Sequence, residues 1–152
     1  MMMILQADRR DLDWVHTQYR NIGIAPSSSR DLVYIARLDG RNAAVGRITR
    51  IDQETAELEG IHILEEFQGE GLALPLVQEM LHSAVSRSIR QLYCLTYPEL
   101  TGFYRRFGFI PSEKGLKHPY FARKLKRVRG NAVLLRCDRR SFAESSSTYT
   151  TG

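Results

Sequence analysis

Cysteine is scarce in this chain: two in 152 residues, Cys94 and Cys137. Their spacing fits no zinc or redox motif and each falls inside an apolar, strand-like run, so both read as reduced packing residues rather than as a disulfide framework. No metal is expected. There is also no apolar run approaching the roughly 20 residues of a membrane span. The opening Met1-Met2-Met3-Ile4-Leu5 lacks the charged region and long apolar stretch of a secretory leader. A cytoplasmic protein with no membrane partner is the expectation. Two phosphate-binding signatures are missing too. Gly69 and Gly71 have no third glycine and later acidic residue to complete a dinucleotide fingerprint, and no Gly-Lys-Ser or Gly-Lys-Thr makes a Walker loop.

What remains is ordinary globular composition, 43% hydrophobic and 26% charged, with a net charge of +5. At this length there is room for one domain with a proper core. We assign it to residues 1–140. Ser141 to Gly152 is polar and of low complexity, and reads as a disordered tail.

Taken in order, Met2 to Leu5 is a short apolar segment, then Asp8 has the character of an N-cap for a helix reaching Ile22, with Leu12, Val15, Tyr19 and Ile22 on one face. Gly23 to Arg30 reads as a loop. Leu32–Leu38 and Ala43–Ile51 flank Asp39-Gly40, a hairpin signal, and a strand from Thr55 to Leu64 completes an antiparallel meander. In that strand Glu57, Glu59, Ile61 and Ile63 alternate with Leu58, Gly60, His62 and Leu64. A helix with Leu72, Leu76, Val77, Met80, Leu81, Ala84 and Val85 at helical spacing follows the glycines. Pro75 lies in its first turn. Leu92 to Thr96 is then a strand parallel to Thr55–Leu64, because a helical crossover joins them. The last strand is Ala132 to Cys137. The class is α/β with a mixed sheet, the meander leading into a parallel pair flanked by helices.

Two stretches carry chemistry. Gly69 and Gly71 can take positive φ and let backbone approach a ligand, just before a helix whose first amides have no intrahelical partner and carry partial positive charge. That is a phosphate site or simply a tight turn. Thirty residues on, Leu100, Phe103, Tyr104 and Phe107 make one helix face ending at Gly108. A tyrosine on such a face is core or catalytic.

Together, Gln68-x-x-Gly71-x-Ala73 and Phe103-Tyr104-x-x-Phe107-Gly108-Phe109 resemble the acyl-CoA-binding core of the GCN5-related N-acetyltransferases, the GNAT superfamily. The resemblance implies the GNAT fold, with the parallel pair splayed around acetyl-CoA. Main-chain groups of Ile61, His62 and Ile63 would hold the pantetheine arm like an added strand. The diphosphate would meet the turn formed by Gln68, Gly69, Glu70, Gly71, Leu72, Ala73 and Leu74. In the family the tyrosine at position 104 protonates the departing thiolate. An asparagine often stands seven residues before it; here that residue is Tyr97, followed by Pro98. For the general base Glu59 comes first and Glu57 second, with an ion-paired or solvated role open for both. His62 has a suitable pKa range, and packing is its alternative.

The implied activity is acetyl-CoA-dependent transfer of an acetyl group to a primary amine, on a protein, a peptide or a small molecule, directly within a ternary complex. A non-catalytic acyl-CoA sensor is one alternative. Another is a nucleic-acid module built on the basic run Arg123-Lys124-Leu125-Lys126-Arg127-Val128-Arg129, which otherwise reads as solvated surface or as a contact to acidic substrate or cofactor phosphates. Nucleic acid is not the expected partner, and homodimerisation stays open. Nothing in the residues identifies the acceptor.

Overall fold

In the computed structural model, which describes residues 1–128 and 130–144, the Asp39-Gly40 pair has φ of +51° and +81°. These left-handed angles at adjacent positions match the right-handed twist of paired strands. The hairpin they close joins β2 (Asp31–Leu38) to β3 (Arg41–Arg50) with Leu38 opposite Arg41. β1 (Met2–Gln6) pairs antiparallel with β2 on its other side. Asp8 caps the following segment as expected: its carboxylate accepts from the Arg10 amide at 2.8 Å, and Asp11 accepts from the Asp8 amide at 2.9 Å. One 3-10 turn precedes α1 (Leu12–Asn21), and Ile22 lies past the helix end, exposed rather than on its core face.

β4 (Thr55–Ile63) leads through a 3-10 turn to α2 (Ala73–Ser86), then to β5 (Gln91–Thr96). β4 and β5 are parallel, with Thr55, Ala56 and Glu57 opposite Gln91, Leu92 and Tyr93. After α3 (Thr101–Arg105) come β6 (Ile110–Pro111), α4 (Pro119–Arg127) and β7 (Val133–Asp138). The seven strands form one mixed sheet in the order β1-β2-β3-β4-β5-β7-β6.

The alternation expected along β4 fails at Gly60. Its φ is +67°, and a Cβ there would lie 2.8 Å from the ring of Tyr19. Glycine is required on both counts, and the strand changes its facing at that residue. Leu100, expected on the core face of α3, is exposed in a 3-10 turn ahead of the helix. Gly108 takes the left-handed conformation expected of it, with φ +95°.

The chain divides into two compact units. The first comprises Met1–Thr49 and Glu59–Met80. Its core joins Val15 and Tyr19 of α1 to Val33 and Ile35 of β2 and Val45 of β3. The second comprises Arg50–Leu58 and the chain from Leu81 onward. There Tyr93 of β5, Phe121 of α4 and Leu134 of β7 pack together, with the Tyr93 and Phe121 rings 4.7 Å apart. Residues 139–144 are helical and Phe142 is fully buried. The expected tail therefore does not begin at Ser141, because a large aromatic ring there has core to join. Positions 145–152 lie outside the described residues.

Candidate active site

The first unit holds the glycine turn and the β4 carboxylate. Between β4 and α2, Phe67 and Leu72 are buried with Ala43, and this anchors both ends of the turn. Gly69 and Gly71 have φ of +87° and +75°, yet nothing lies within 4 Å of where a Cβ would stand at either. Conformation rather than crowding demands glycine here. The turn uses some of its own donors: the amides of Gln68 and Glu70 bond the carbonyls of Glu65 and Phe67 at 3.2 and 3.3 Å. Glu70 therefore has a turn bond where an amide for diphosphate was expected. Leu76 is the first α2 residue whose amide reaches back, to the Leu72 carbonyl at 3.2 Å. Ala73 and Leu74 are the helix's unpaired donors. Pro75, third in the helix, has no N–H to leave unpaired and so costs no hydrogen bond. Dipole charge and amides without intrahelical partners give this turn a positive electrostatic character.

Glu59 is engaged. Its Oε1 accepts from Arg47 Nε at 2.8 Å and from the Thr49 hydroxyl at 3.2 Å, and Arg47 reaches it again at 2.7 Å. Arg47 is itself buried; it donates to the Ala25 carbonyl and the Ser27 hydroxyl and lies over the Tyr19 ring at 4.9 Å. A carboxylate bonded to a guanidinium is a weakened proton acceptor. His62, beyond Gly60, is half-buried, and desolvation lowers its pKa, which leaves the imidazole neutral at pH 7. Ile61 and Ile63 are half-buried beside it, and the Gln68 side chain donates to the Ile63 carbonyl at 3.4 Å.

The second unit holds Tyr104 and Glu57. Tyr104 is 7% exposed, its ring edge-on to Phe103 and Phe109. Burial raises its hydroxyl pKa far above the usual tyrosine value, and a hydrogen bond with the Cys94 side chain adds to the shift. The group stays protonated at neutral pH, as a proton donor must. Tyr97 is exposed and caps nothing with its side chain. Glu57 is fully buried: Oε1 accepts from the Tyr120 hydroxyl at 2.7 Å and Oε2 from Lys124 at 2.5 Å. One cation of the basic run thus points to the interior, while Arg123, Lys126 and Arg127 are exposed. Cys94 and Cys137 are both buried free thiols, and burial pushes the Cys137 thiol up to about 12.

Sequence reasoning placed the turn, β4 and Tyr104, and missed Arg47, Asp31 and Tyr19 around Glu59. A lone arginine within the apolar run Ala43–Ile48 was the available signal. Among the described residues no group of His, Cys, Asp and Glu is arranged to hold a metal, and no helix is long and apolar enough to cross a membrane.

Residues 3–109, which contain both the glycine turn and Tyr104, match the Acetyltransferase (GNAT) family. The chain belongs to the GNAT family. This GNAT chain is 25% identical over 107 residues to an uncharacterized N-acetyltransferase of Pyropia yezoensis, covering 68% of itself and 62% of that relative. It thus spans less than two thirds of the curated relative. Its fold is similar to that of N-acetylglutamate synthase from Neisseria gonorrhoeae, solved with coenzyme A and N-acetyl-glutamate: TM-score 0.69, 19% identity, 91% of this chain and 35% of that one. It is also similar to a GNAT family acetyltransferase of Elizabethkingia anophelis solved with acetyl-CoA bound, at TM-score 0.61 and 18% identity over 90% and 97% of the two chains.

Proposed function

We propose that this chain is an acetyl-CoA-dependent N-acetyltransferase that passes the acetyl group directly to a primary amine, with both substrates bound together. The observation that carries the reading is the turn at Gly69 and Gly71, two positive-φ glycines leading into helix amides that have no partner. Such a turn fits a diphosphate, and the acetyl-CoA-bound and CoA-bound relatives support that choice of ligand.

Acetyl-CoA supplies the acyl group as a thioester. The amides of Gly69, Gly71, Leu72, Ala73 and Leu74 hold phosphate charge; the main chain of Ile61, His62 and Ile63 pairs with the arm as an added strand. Tyr104 gives its hydroxyl proton to sulfur as the carbon–sulfur bond breaks and the nitrogen–carbon bond forms, then recovers a proton from water. Glu59 receives the amine's proton through water; because Arg47 weakens it as a base, solvent takes over that step as pH rises. No serine or cysteine is assigned as a covalent nucleophile, and Cys94 is buried against Tyr104.

The test is a thermal-shift titration with acetyl-CoA and with NAD as control, followed by thiol release across an amine panel. A selective, concentration-dependent rise in Tm is expected. Tyr104→Phe should lower kcat about 10²- to 10⁴-fold with unchanged acetyl-CoA affinity. No shift with acetyl-CoA, or a silent Tyr104→Phe, would remove the respective part of the proposal.

A further inference from the structure

The fold sorts the basic run of α4 into two sides. Tyr120, Phe121 and Lys124 face inward: Tyr120 and Lys124 bond Glu57, and Phe121 packs against Tyr93 and Leu134. Arg123, Lys126 and Arg127 are exposed, at spacings of three and four residues that bring like charges together on one helix face. The 3-10 turn at Lys114–Lys117 adjoins α4 and adds two more exposed cations, Lys114 and Lys117. Across residues 112–130 the one acidic residue is Glu113. Among the described residues none of these five cations has an ion-pair partner. Asp52, near the start of α4, lies 3.5 Å from His118.

Local helix electrostatics account for only part of this arrangement. The dipole stabilises cations near a helix C-terminus, which suits Lys126 and Arg127. Lys114 and Lys117 stand at the other end, ahead of Pro119, where it disfavours positive charge. Clustered cations without counter-charges repel one another, and an anionic partner turns that repulsion into attraction. An aromatic ring stands nearby. Tyr97, which follows β5, is 42% exposed, and a Cβ on Gly130, three residues past α4, would lie 3.7 Å from its ring. A chain of carboxylates has no use for such a ring, whereas the bases of an unpaired strand stack on it while their phosphates meet the cations.

We propose that α4 and the turn before it form a surface for single-stranded nucleic acid, with Lys114, Lys117, Arg123, Lys126 and Arg127 on the phosphates and Tyr97 against a base. The planar forks of Arg123 and Arg127 suit phosphate oxygens. A duplex keeps its bases stacked on one another and offers Tyr97 nothing, so a single strand is preferred. The surface lies wholly within the second unit and makes no use of the glycine turn, and binding is measured with no acyl donor present.

The probe is a fluorescein-labelled oligouridylate of about 12 nucleotides, a length such sites accommodate. The full chain is titrated into it and binding is read by anisotropy between about 50 and 200 mM salt. Saturable binding is expected, weakening as salt rises with a log–log slope of about −2 to −3.5, the value for neutralising about three to five phosphates of a single strand. Arg123→Gln, Lys126→Gln and Arg127→Gln together should weaken it about tenfold or more. Arg9→Gln, Arg20→Gln and Arg87→Gln together remove the same charge from exposed positions elsewhere and should change it less than about twofold. Tyr97→Ala should weaken it about 5- to 150-fold. Every change is at an exposed side chain, and thermal transitions check that the variants fold. No saturable binding, equal weakening by the two triple variants or a silent Tyr97→Ala would overturn the assignment. So would an oligoglutamate of equal charge bound as tightly, or full displacement of the strand by acetyl-CoA.

Discussion

Lys124→Met removes a charge from the interior and keeps the aliphatic stem that carries it. The partner, Glu57, has no exposed side-chain surface, while Lys124 is 22% exposed and bonds it at 2.5 Å. Breaking a buried pair by removing one member costs about 3–5 kcal/mol, because the remaining charge loses its compensation. For a chain of this length each kcal/mol lowers Tm by about 2–4 °C, so the variant should melt about 6–20 °C below the parent at pH 7. The deficit has a pH signature. Glu57 left without Lys124 is protonated more readily in the folded state than in the unfolded chain, so the penalty is full at neutral pH. It closes as pH falls toward about 4.3, where the unfolded glutamate also takes its proton. Calorimetric scans of parent and variant at several pH values make the comparison. A Tm within a degree or two of the parent at pH 7, or a deficit that does not change with pH, would refute the reasoning and return Lys124 to the solvated surface.

Other outcomes follow from the same coordinates. Gly71→Asn and Gly71→Glu both meet open space at φ +75°, so both should fold; asparagine tolerates that conformation and should keep acetyl-CoA, whereas the glutamate carboxylate should repel it, as isothermal titration would show. Equal affinities would move the diphosphate elsewhere. Gly60→Ala combines a left-handed φ with a Cβ 2.8 Å from the buried Tyr19 ring and should cost about 2–5 kcal/mol by chemical denaturation; an unchanged midpoint would contradict the packing described. His62 has its pKa lowered by burial, so the unfolded chain takes its proton first and stability should fall as pH drops below about 6.5. His62→Gln should flatten that slope between neutral and mildly acidic pH, and an unaltered slope would assign the dependence to other groups.

The sequence by itself determined the features that neighbours along the chain control. Asp39-Gly40 sets a hairpin because two adjacent residues must turn left-handed, Asp8 caps because its carboxylate reaches amides two or three residues on, and the apolar stripe of α2 follows from helical spacing. The glycine turn and Tyr104 were legible for the same reason, as short patterns with a local geometric meaning. What tertiary structure decided are pairings between residues far apart in the chain. Glu59 meets Arg47 from 12 positions earlier, and Glu57 meets Tyr120 and Lys124 from 63 and 67 positions later. In sequence the two glutamates are equivalent members of one alternating strand. In the fold both lie in ion pairs, Gly60 breaks the alternation beside them, and Asp31 keeps an oxygen without a donor. Strand register and helix docking set these partners, and they are settled only when the whole core closes, because the charge a carboxylate feels depends on what is packed against it and not on what precedes it in the chain.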